Sequence, residues 1–452
     1  MKRRILFVNP RYGGQDGLII LPLDQASTAA YALQRGHDVR VVDLAFEADD
    51  ARLEQALAAE TFDLIVITCI TICFRTAIAA ARAAKAQAPD TPIAMMGEHV
   101  TYRREETLRR HTAIDFVIAF EAEVVVCELV EAVTSARDWT FADYSGVEGV
   151  TYRASYGDMT IPGTDRMALV RNHDRKSEPN LDVFPPPAKH LYALRHYLER
   201  DHETTMVTTR GCTHTCHFCH RWRYGRAMRN WSLPRVFLEI DDNLRNGFSA
   251  IFFQDDVFCY DKQRTRAFCE GLMARGIAID WNCNVRIDDF DPTSAADGEL
   301  AALMRKAGCY RIFVGIEAFD QELLDRSRKQ AQVELIHGFV RFWQERGIQV
   351  HASYIVGLPG DTPEKVHRRV ELAIGLKTDL ASFNRIFPHP GTPFGDDPPR
   401  WGLQVPDPLW YEDKYWWTRA VAGTKELPPD DVYALQQWAL TNYTESMFAE
   451  PA

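Results

Sequence analysis

The sequence predicts an α/β protein built on two successive parallel sheets, and three observations carry that reading. Short, continuous apolar runs alternate with helical segments through roughly residues 1–135; the rhythm breaks over about 137–200; it returns from Thr204 with six further strand–helix units. Runs that are apolar throughout mark strands covered on both faces, as helices on each side of a parallel sheet require.

The first run is Arg4–Asn9, followed by a helical Gln25–Gly36 with a glycine stop. Val39–Asp43, a helix from about Ala51, Leu64–Thr68 and an Ala-rich helix from about Phe74 to Gln87 come next. Ile93–Gly97, a helix near Arg103–Arg110, Phe116–Ala119 and a helix over Glu123–Ala136 complete the set. Five such strands make a flavodoxin-like (Rossmann-type) doubly wound sheet, whose ligands bind outside the strands' carboxyl ends. Residues 138–200 read as a linker with a small hairpin, Val147–Arg153 being one strand and Val183–Ala188 a stiff proline-rich spacer. The second set of strands is Thr205–Thr209, Ala250–Gln254, Asp280–Val285, Arg311–Ile316, Gln349–Val356 and Ser382–Ile386. Six βα units are too few for an eight-fold barrel, so residues 201–395 are expected to form a partial (β/α)6 TIM-type barrel with its site at the strands' C-terminal ends. Residues 396–452, rich in Trp, are expected as a helical cap.

Composition narrows the function classes. With 46% hydrophobic and 25% charged residues the chain is an ordinary globular one. A net charge of −11 offers no footprint for nucleic acid. The apolar run in the basic N-terminus is too short for a signal peptide, and Leu64–Phe74 is too short for a membrane span. A cytoplasmic protein, with no membrane partner, is expected. Most of the ten cysteines sit singly in apolar runs, as small buried hydrophobes.

The exception is Cys212-Thr-His-Thr-Cys216-His-Phe-Cys219, directly after the first strand of the second set. Three thiolates on one loop suit three irons of a 4Fe–4S cluster, whose usual complement is four cysteines. Zinc is the alternative on spacing alone, with His214, His217 or His220 as fourth ligand.

This C-x-x-x-C-x-x-C after a first barrel strand resembles the signature of the radical S-adenosylmethionine (SAM) superfamily. The resemblance implies a cluster on Cys212, Cys216 and Cys219 whose open iron is chelated by the methionine moiety of SAM, and whose electron yields a 5′-deoxyadenosyl radical. Phe218 matches the aromatic residue near the adenine. Gln254-Asp255-Asp256 resembles the patch that receives the methionine amino group. Gly315-Ile316-Glu317 resembles the segment whose acid, here Glu317, binds the ribose. Ser353 through Asp361 resembles the fifth-strand adenine segment, with Ile355 and Gly357 as contacts and with Ser353 and Asp361 in place of the usual Gly and Glu. Pro388–Pro393 resembles the loop after the sixth strand.

Over roughly residues 1–395 the layout resembles the branch of that superfamily with an N-terminal cobalamin-binding domain. The matching segments are Val8-Asn9-Pro10, Leu21-Pro22-Leu23, Thr68-Cys69-Ile70-Thr71, Gly97-Glu98-His99-Val100-Thr101, and Asp115 through Glu121-Ala122-Glu123. In the last of these, Phe120 and Ala122 stand where glycines are usual. The resemblance implies cobalamin contacts at Asn9, Pro10, Leu21, Thr68, Ile70, Thr71, Gly97, Glu98, His99, Thr101 and Glu121. Aspartate-x-histidine, which supplies a histidine to cobalt, is missing from the sequence. Cobalamin is therefore expected base-off, its tail inserted in the domain, with no histidine ligand; His99 is expected to hydrogen-bond the corrin side chains. A ligand-free domain, and a methylthio-transferring enzyme using Cys69, Cys73 and Cys127, are the alternatives.

Together these cofactors imply a methyltransferase acting on an unactivated carbon of a small biosynthetic intermediate, aromatic or carrier-bound. The resemblance also implies an electron donor such as flavodoxin or ferredoxin. A ring-forming or rearranging enzyme with the same cofactors is the runner-up, and a cobalamin or redox sensor is third. The tryptophans of the tail are expected either to stack on a planar substrate or to pack as core.

Overall fold

The computed structural model describes residues 2–12, 19–154, 168–220 and 224–448, which fall into two compact units. The first comprises Met1–Asp201 with Tyr411–Lys414, and the second His202–Trp410 with Tyr415–Ala452.

In the first unit β1 (Arg4–Asn9), β2 (Asp38–Asp43), β3 (Leu64–Thr68), β4 (Ile93–Met96) and β5 (Phe116–Ile118) form a parallel sheet in the order β2-β1-β3-β4-β5. The connecting helices are α1 (Leu23–Gln34), α2 (Ala51–Ala59), α3 (Phe74–Gln87), α4 (Glu98–Tyr102), α5 (Arg104–Arg110) and α6 (Ala122–Val133). Every residue of β3 and β4 is buried, as expected of strands covered on both faces. The helix expected near Arg103–Arg110 is two short helices that meet at Arg103.

The segment read as a linker corrects the expected boundary. β6 (Val150–Arg153) and β7 (Leu169–Arg171) join the same sheet antiparallel beyond β5. They cover a three-residue edge strand whose backbone would otherwise lie open. α7 (Leu194–Arg200) also belongs to this unit.

In the second unit β8 (Glu203–Met206) starts a six-stranded parallel sheet. The short pair β9 (Thr209–Arg210) and β10 (Arg229–Asn230) is antiparallel and separate. β11 (Ala250–Phe253), β12 (Asp280–Val285), β13 (Cys309–Glu317), β14 (Gln349–Val356) and β15 (Leu380–Arg385) follow β8 in spatial as in sequence order. With α8 (Leu233–Arg245), α9 (Lys262–Ala274), α10 (Ala295–Lys306), α11 (Gln321–Arg326), α12 (Ile336–Gln344) and α13 (Pro363–Leu376) between them, this is the expected half-barrel. Along β14 the even-numbered Val350, Ala352, Tyr354 and Val356 are buried, whereas His351 and Ser353 on the opposite face are half-exposed. That period of two places a mixed polar and aromatic lining inside the barrel.

The tail is only partly helical. Past α14 (Pro393–Asp396) it runs through short turns, and α15 (Pro429–Phe448) then packs on α13 and the edge strand β15. Trp410 and Trp416 are buried in an aromatic cluster with Phe387, the ring centroids 5.1–6.0 Å apart. They pack as core.

Candidate functional site

The cysteine loop of the second unit is fixed from below by one carboxylate. Leaving β8, the chain turns so that both backbone N–H groups and both hydroxyls of Thr208 and Thr209 donate to Asp255, at 2.6–3.0 Å. Asp255 is 0% exposed. Burial raises its carboxyl above the usual value, against the pull of those donors. This corrects the expectation that Asp255 receives the methionine amino group, because its oxygens are engaged inside the protein. Gln254 and Asp256 on either side are half-exposed and keep the position expected of that patch.

Gly211 then takes a φ of 99°, where an added Cβ would collide with the carbonyl oxygen of Ala227. The loop is pinned by hydrogen bonds from Cys212 N to Gly225 O (3.3 Å), Cys219 N to Cys216 O (3.2 Å) and His217 N to Ser327 O (2.9 Å). Cys216 is buried, while Cys212, Phe218 and Cys219 are half-exposed. A cleft of about 450 Å³ lies beside the loop, lined by His214, Thr215, Cys216, His217, Arg226, Arg328 and Pro393.

Two buried cations stand next to Cys216. The Arg286 guanidinium donates from Nη1 toward Cys216 Sγ at 3.9 Å. Lys329 Nζ pairs with Glu317 Oε1 at 2.9 Å, and its charge also acts on Cys216. Iron–sulfur clusters bound by three thiolates are anionic, so a three-thiol loop backed by buried cations suits one. Sequence reasoning missed Arg286, Lys329 and the Ser327 carbonyl. The available signal was the basic run Arg326-Ser327-Arg328-Lys329 shortly after a strand ending in an acid.

Glu317 ends β13 with a φ of 66°, at a register shift against β14 between Gly315 and Glu317. Such a bulge re-aims a side chain. Here it folds the carboxylate back over Gly315, where an added Cβ would lie 2.7 Å from Lys329 Nζ. Ile355 is 8% exposed, and its carbonyl accepts from buried Arg369. Gly357 N donates to Asp361 Oδ2 at 3.0 Å, and Asp361 pairs with Arg369. The Gly357 N–H is therefore occupied, and of this pair the Ile355 side chain is the group left to meet a ligand. Ser353 Oγ accepts from Asn384 at 3.0 Å.

In the first unit, several of the residues expected at cobalamin face inward. Asn9 Nδ2 donates to Asp43 Oδ1 at 2.8 Å, and Tyr197 OH to Asp43 Oδ2 at 2.7 Å. Gln25 Nε2 donates to Thr68 Oγ1 at 2.7 Å and Gln25 Oε1 accepts from Tyr192 OH at 2.8 Å. Side chains from the segment read as a linker, Tyr192 and Tyr197, thus hold the groups that in turn bond Thr68 and Asn9 at the ends of β3 and β1. This corrects the roles of Asn9 and Thr68, which are buried with Pro10 and Leu21. His99 is 1% exposed, with Nδ1 3.2 Å from Thr71 Oγ1 and its ring between Phe74 and Tyr411, each at 4.4 Å. That corrects the expected corrin contact: the imidazole is enclosed, partly by the returning strap Tyr411–Lys414, whose Tyr411 hydroxyl donates to Glu106 at 2.8 Å.

The half-exposed residues at the ends of three adjacent strands are Ile70 and Ile72, Gly97 and Glu98, and Phe120 and Glu121. An apolar rim with flanking carboxylates suits a broad ring that bears amide arms. Gly97 has a φ of 125°, and its added Cβ would lie 2.5 Å from Cys69 O. Thr101 Oγ1 ties the next loop by accepting from Phe120 N at 3.1 Å. Phe120 keeps a φ of 59°, the conformation its missing glycine would favour, with its ring 5.2 Å from the Arg104 guanidinium. A cleft of about 600 Å³ opens beside Phe120, Glu121 and Glu123, facing Arg175, Lys176 and Phe184. Cys127 is buried in the middle of α6 and packs in the hydrophobic core, away from any ligand-bearing loop.

Comparison with known proteins bears on both units. Residues 206–373 match the model of the radical SAM superfamily, and residues 17–130 that of the B12 binding domain. An uncharacterized methyltransferase of Pyrococcus horikoshii is 27% identical over 376 residues, 82% of this chain and 77% of that one. The anaerobic magnesium-protoporphyrin IX monomethyl ester cyclase of Rubrivivax gelatinosus is 26% identical over 394 residues, 86% of this chain and 68% of that one. Among solved structures, the radical SAM methyltransferase TsrM of Kitasatospora setae superposes with a TM-score of 0.75 at 19% identity, covering 100% of this chain and 90% of that one. At that identity the likeness concerns the fold.

Proposed function

The chain joins a radical SAM domain to a B12 binding domain, and from this premise we propose that it is a cobalamin-dependent radical SAM methyltransferase acting on an unactivated carbon of a small organic substrate. When bound, the cluster supplies an electron, SAM the methyl group and the radical precursor, and the corrinoid a methyl carrier. The chain's own part is placement. Cys212, Cys216 and Cys219 would hold the cluster on a loop that Asp255 fixes through Thr208 and Thr209. Gln254, Asp256, Glu317 and Ile355, at the ends of β11, β13 and β14, would orient SAM beside it. Half-exposed Phe252, Phe313 and His351, with centroids 4.9 and 4.5 Å apart in succession, line the barrel with aromatic surface.

The observation that carries the reading is the cysteine loop, held at four points by a buried carboxylate and backed by Arg286 and Lys329. Cobalamin is proposed to rest on the rim of Ile70, Gly97, Glu98 and Glu121 without a histidine on cobalt, since His99 is enclosed between two aromatic rings. A small one-electron carrier such as flavodoxin or ferredoxin is the proposed donor.

The test is anaerobic. Protein purified after growth with hydroxocobalamin and reconstituted with iron and sulfide is incubated with SAM, dithionite and cell extract, and products are read by mass spectrometry. 5′-Deoxyadenosine together with a product heavier by one methylene supports the proposal. 5′-Deoxyadenosine with ring closure and no methyl gain would favour the second reading, which the cyclase relative supports. A nitrogen splitting on the reduced cobalt that changes when the protein is labelled with 15N-histidine would refute the histidine-free part.

A further inference from the structure

We propose that Arg286 is a positioning residue that raises the reduction potential of the cluster by donating a charged N–H to the Cys216 thiolate. This rests on the reading of Cys212, Cys216 and Cys219 as cluster ligands. Arg286 follows the last residue of β12, and its backbone N–H donates to Asp289 Oδ2 at 2.7 Å. Three of its bonds fix the guanidinium plane. Nε and Nη2 donate to the two oxygens of Asp288 at 2.9 and 3.2 Å, and Nη2 also to the Lys329 carbonyl at 2.8 Å. Nη1 is thereby turned toward Cys216 Sγ, 3.9 Å away. Arg286 is 6% exposed, so its charge acts on the sulfur with little screening by solvent. Asp288, which balances that charge, is exposed.

The physical consequence follows from charge. Reduction adds one electron, from dithionite in the assay, to the cluster. The added negative charge spreads onto the thiolate sulfurs, and a fixed cationic donor at one of them favours the reduced form. A guanidinium suits this task better than an ammonium, because its planar fork can be held by three bonds while a fourth N–H faces the sulfur.

The experiment is a redox titration of the reconstituted protein, followed by electron paramagnetic resonance of the reduced cluster and paired with iron and sulfide analysis. Arg286→Gln keeps a donor and removes the charge. It is expected to retain wild-type iron and to lower electron affinity about tenfold, or about 59 mV for a one-electron couple. Asp288→Asn removes the balancing charge at an exposed position and is expected to shift the potential upward. Arg286→Lys is expected to recover part of the loss. Wild-type potentials in both Arg286→Gln and Asp288→Asn would overturn the proposal. Should Arg286→Gln fail to assemble a cluster, Asp288→Asn decides: a raised potential supports the role, and an unchanged one overturns it. Absence of iron and sulfide from the wild-type protein would instead refute the cluster assignment.

Discussion

Replacing Asp255 with alanine is expected to unseat the cysteine loop rather than to weaken contact with SAM. The carboxylate accepts from Thr208 N, Thr208 Oγ1, Thr209 N and Thr209 Oγ1 at 2.6–3.0 Å, and no part of it meets solvent. The two hydroxyls can rotate toward other acceptors, but the two backbone N–H groups cannot. Each one left buried without an acceptor costs about 1–3 kcal/mol, so the expected loss is about 2–6 kcal/mol. With a slope of about 2 kcal/mol/M in urea, a loss of 4 kcal/mol moves the midpoint down by about 2 M. The assay is equilibrium urea unfolding of the reconstituted protein, read by cluster absorbance alongside circular dichroism, with iron counted beforehand. Asp255→Asn should fall between the two, because Oδ1 alone accepts both N–H groups and its amide can face a rotated Thr208 hydroxyl. Asp256→Ala should keep both midpoint and iron. An Asp255→Ala protein with wild-type iron and a midpoint within about 0.5 M of wild type would refute the argument.

Three further outcomes are expected. Gly97→Ala should abolish corrinoid retention while leaving iron content unchanged, since its Cβ would meet Cys69 O at 2.5 Å from a φ of 125°; bound corrinoid per chain is the readout. Gly315→Ala should raise the Kd for SAM, measured by equilibrium dialysis, because its methyl group displaces the Glu317–Lys329 pair without deleting either residue. Burial and the nearby Arg311 lower the His351 imidazole from 6.5 to about 4. The unfolded chain therefore binds the extra proton first. The stability of the neutral form is complete above pH 6.5 and is lost as pH falls through about 4; solvent screening at this half-exposed ring holds the total to about 1–2 kcal/mol. His351→Gln should remove that part of the acid sensitivity, seen as a smaller fall in Tm between pH 7 and pH 4.

Sequence and tertiary structure contributed different things. Period and apolar continuity placed the eleven parallel strands among the described residues to within a few residues, because burial on both faces makes strands such as β3 and β4 apolar throughout, and burial on one face makes strands such as β14 alternate. The three cysteines were legible for a related reason: groups proposed to share one cluster from one short loop must be close in sequence. The residues that serve them were not. Asp255 reads as a member of a polar patch, yet its four partners lie 46 and 47 positions earlier. Arg286 reaches a sulfur 70 positions away, and Tyr411 closes over a histidine that precedes it by more than 300 residues. Nothing local distinguishes such side chains from helix caps, solvated charges or core aromatics. The same holds for Tyr192 and Tyr197, which bond the buried Gln25 and Asp43 from a stretch whose composition suggests only a linker. Alternation and spacing are written along the chain, and so the sequence by itself determined two parallel sheets and the loop that carries the three cysteines. Which carboxylate faces a ligand and which is turned inward depends on long-range packing, and only the tertiary structure decided it.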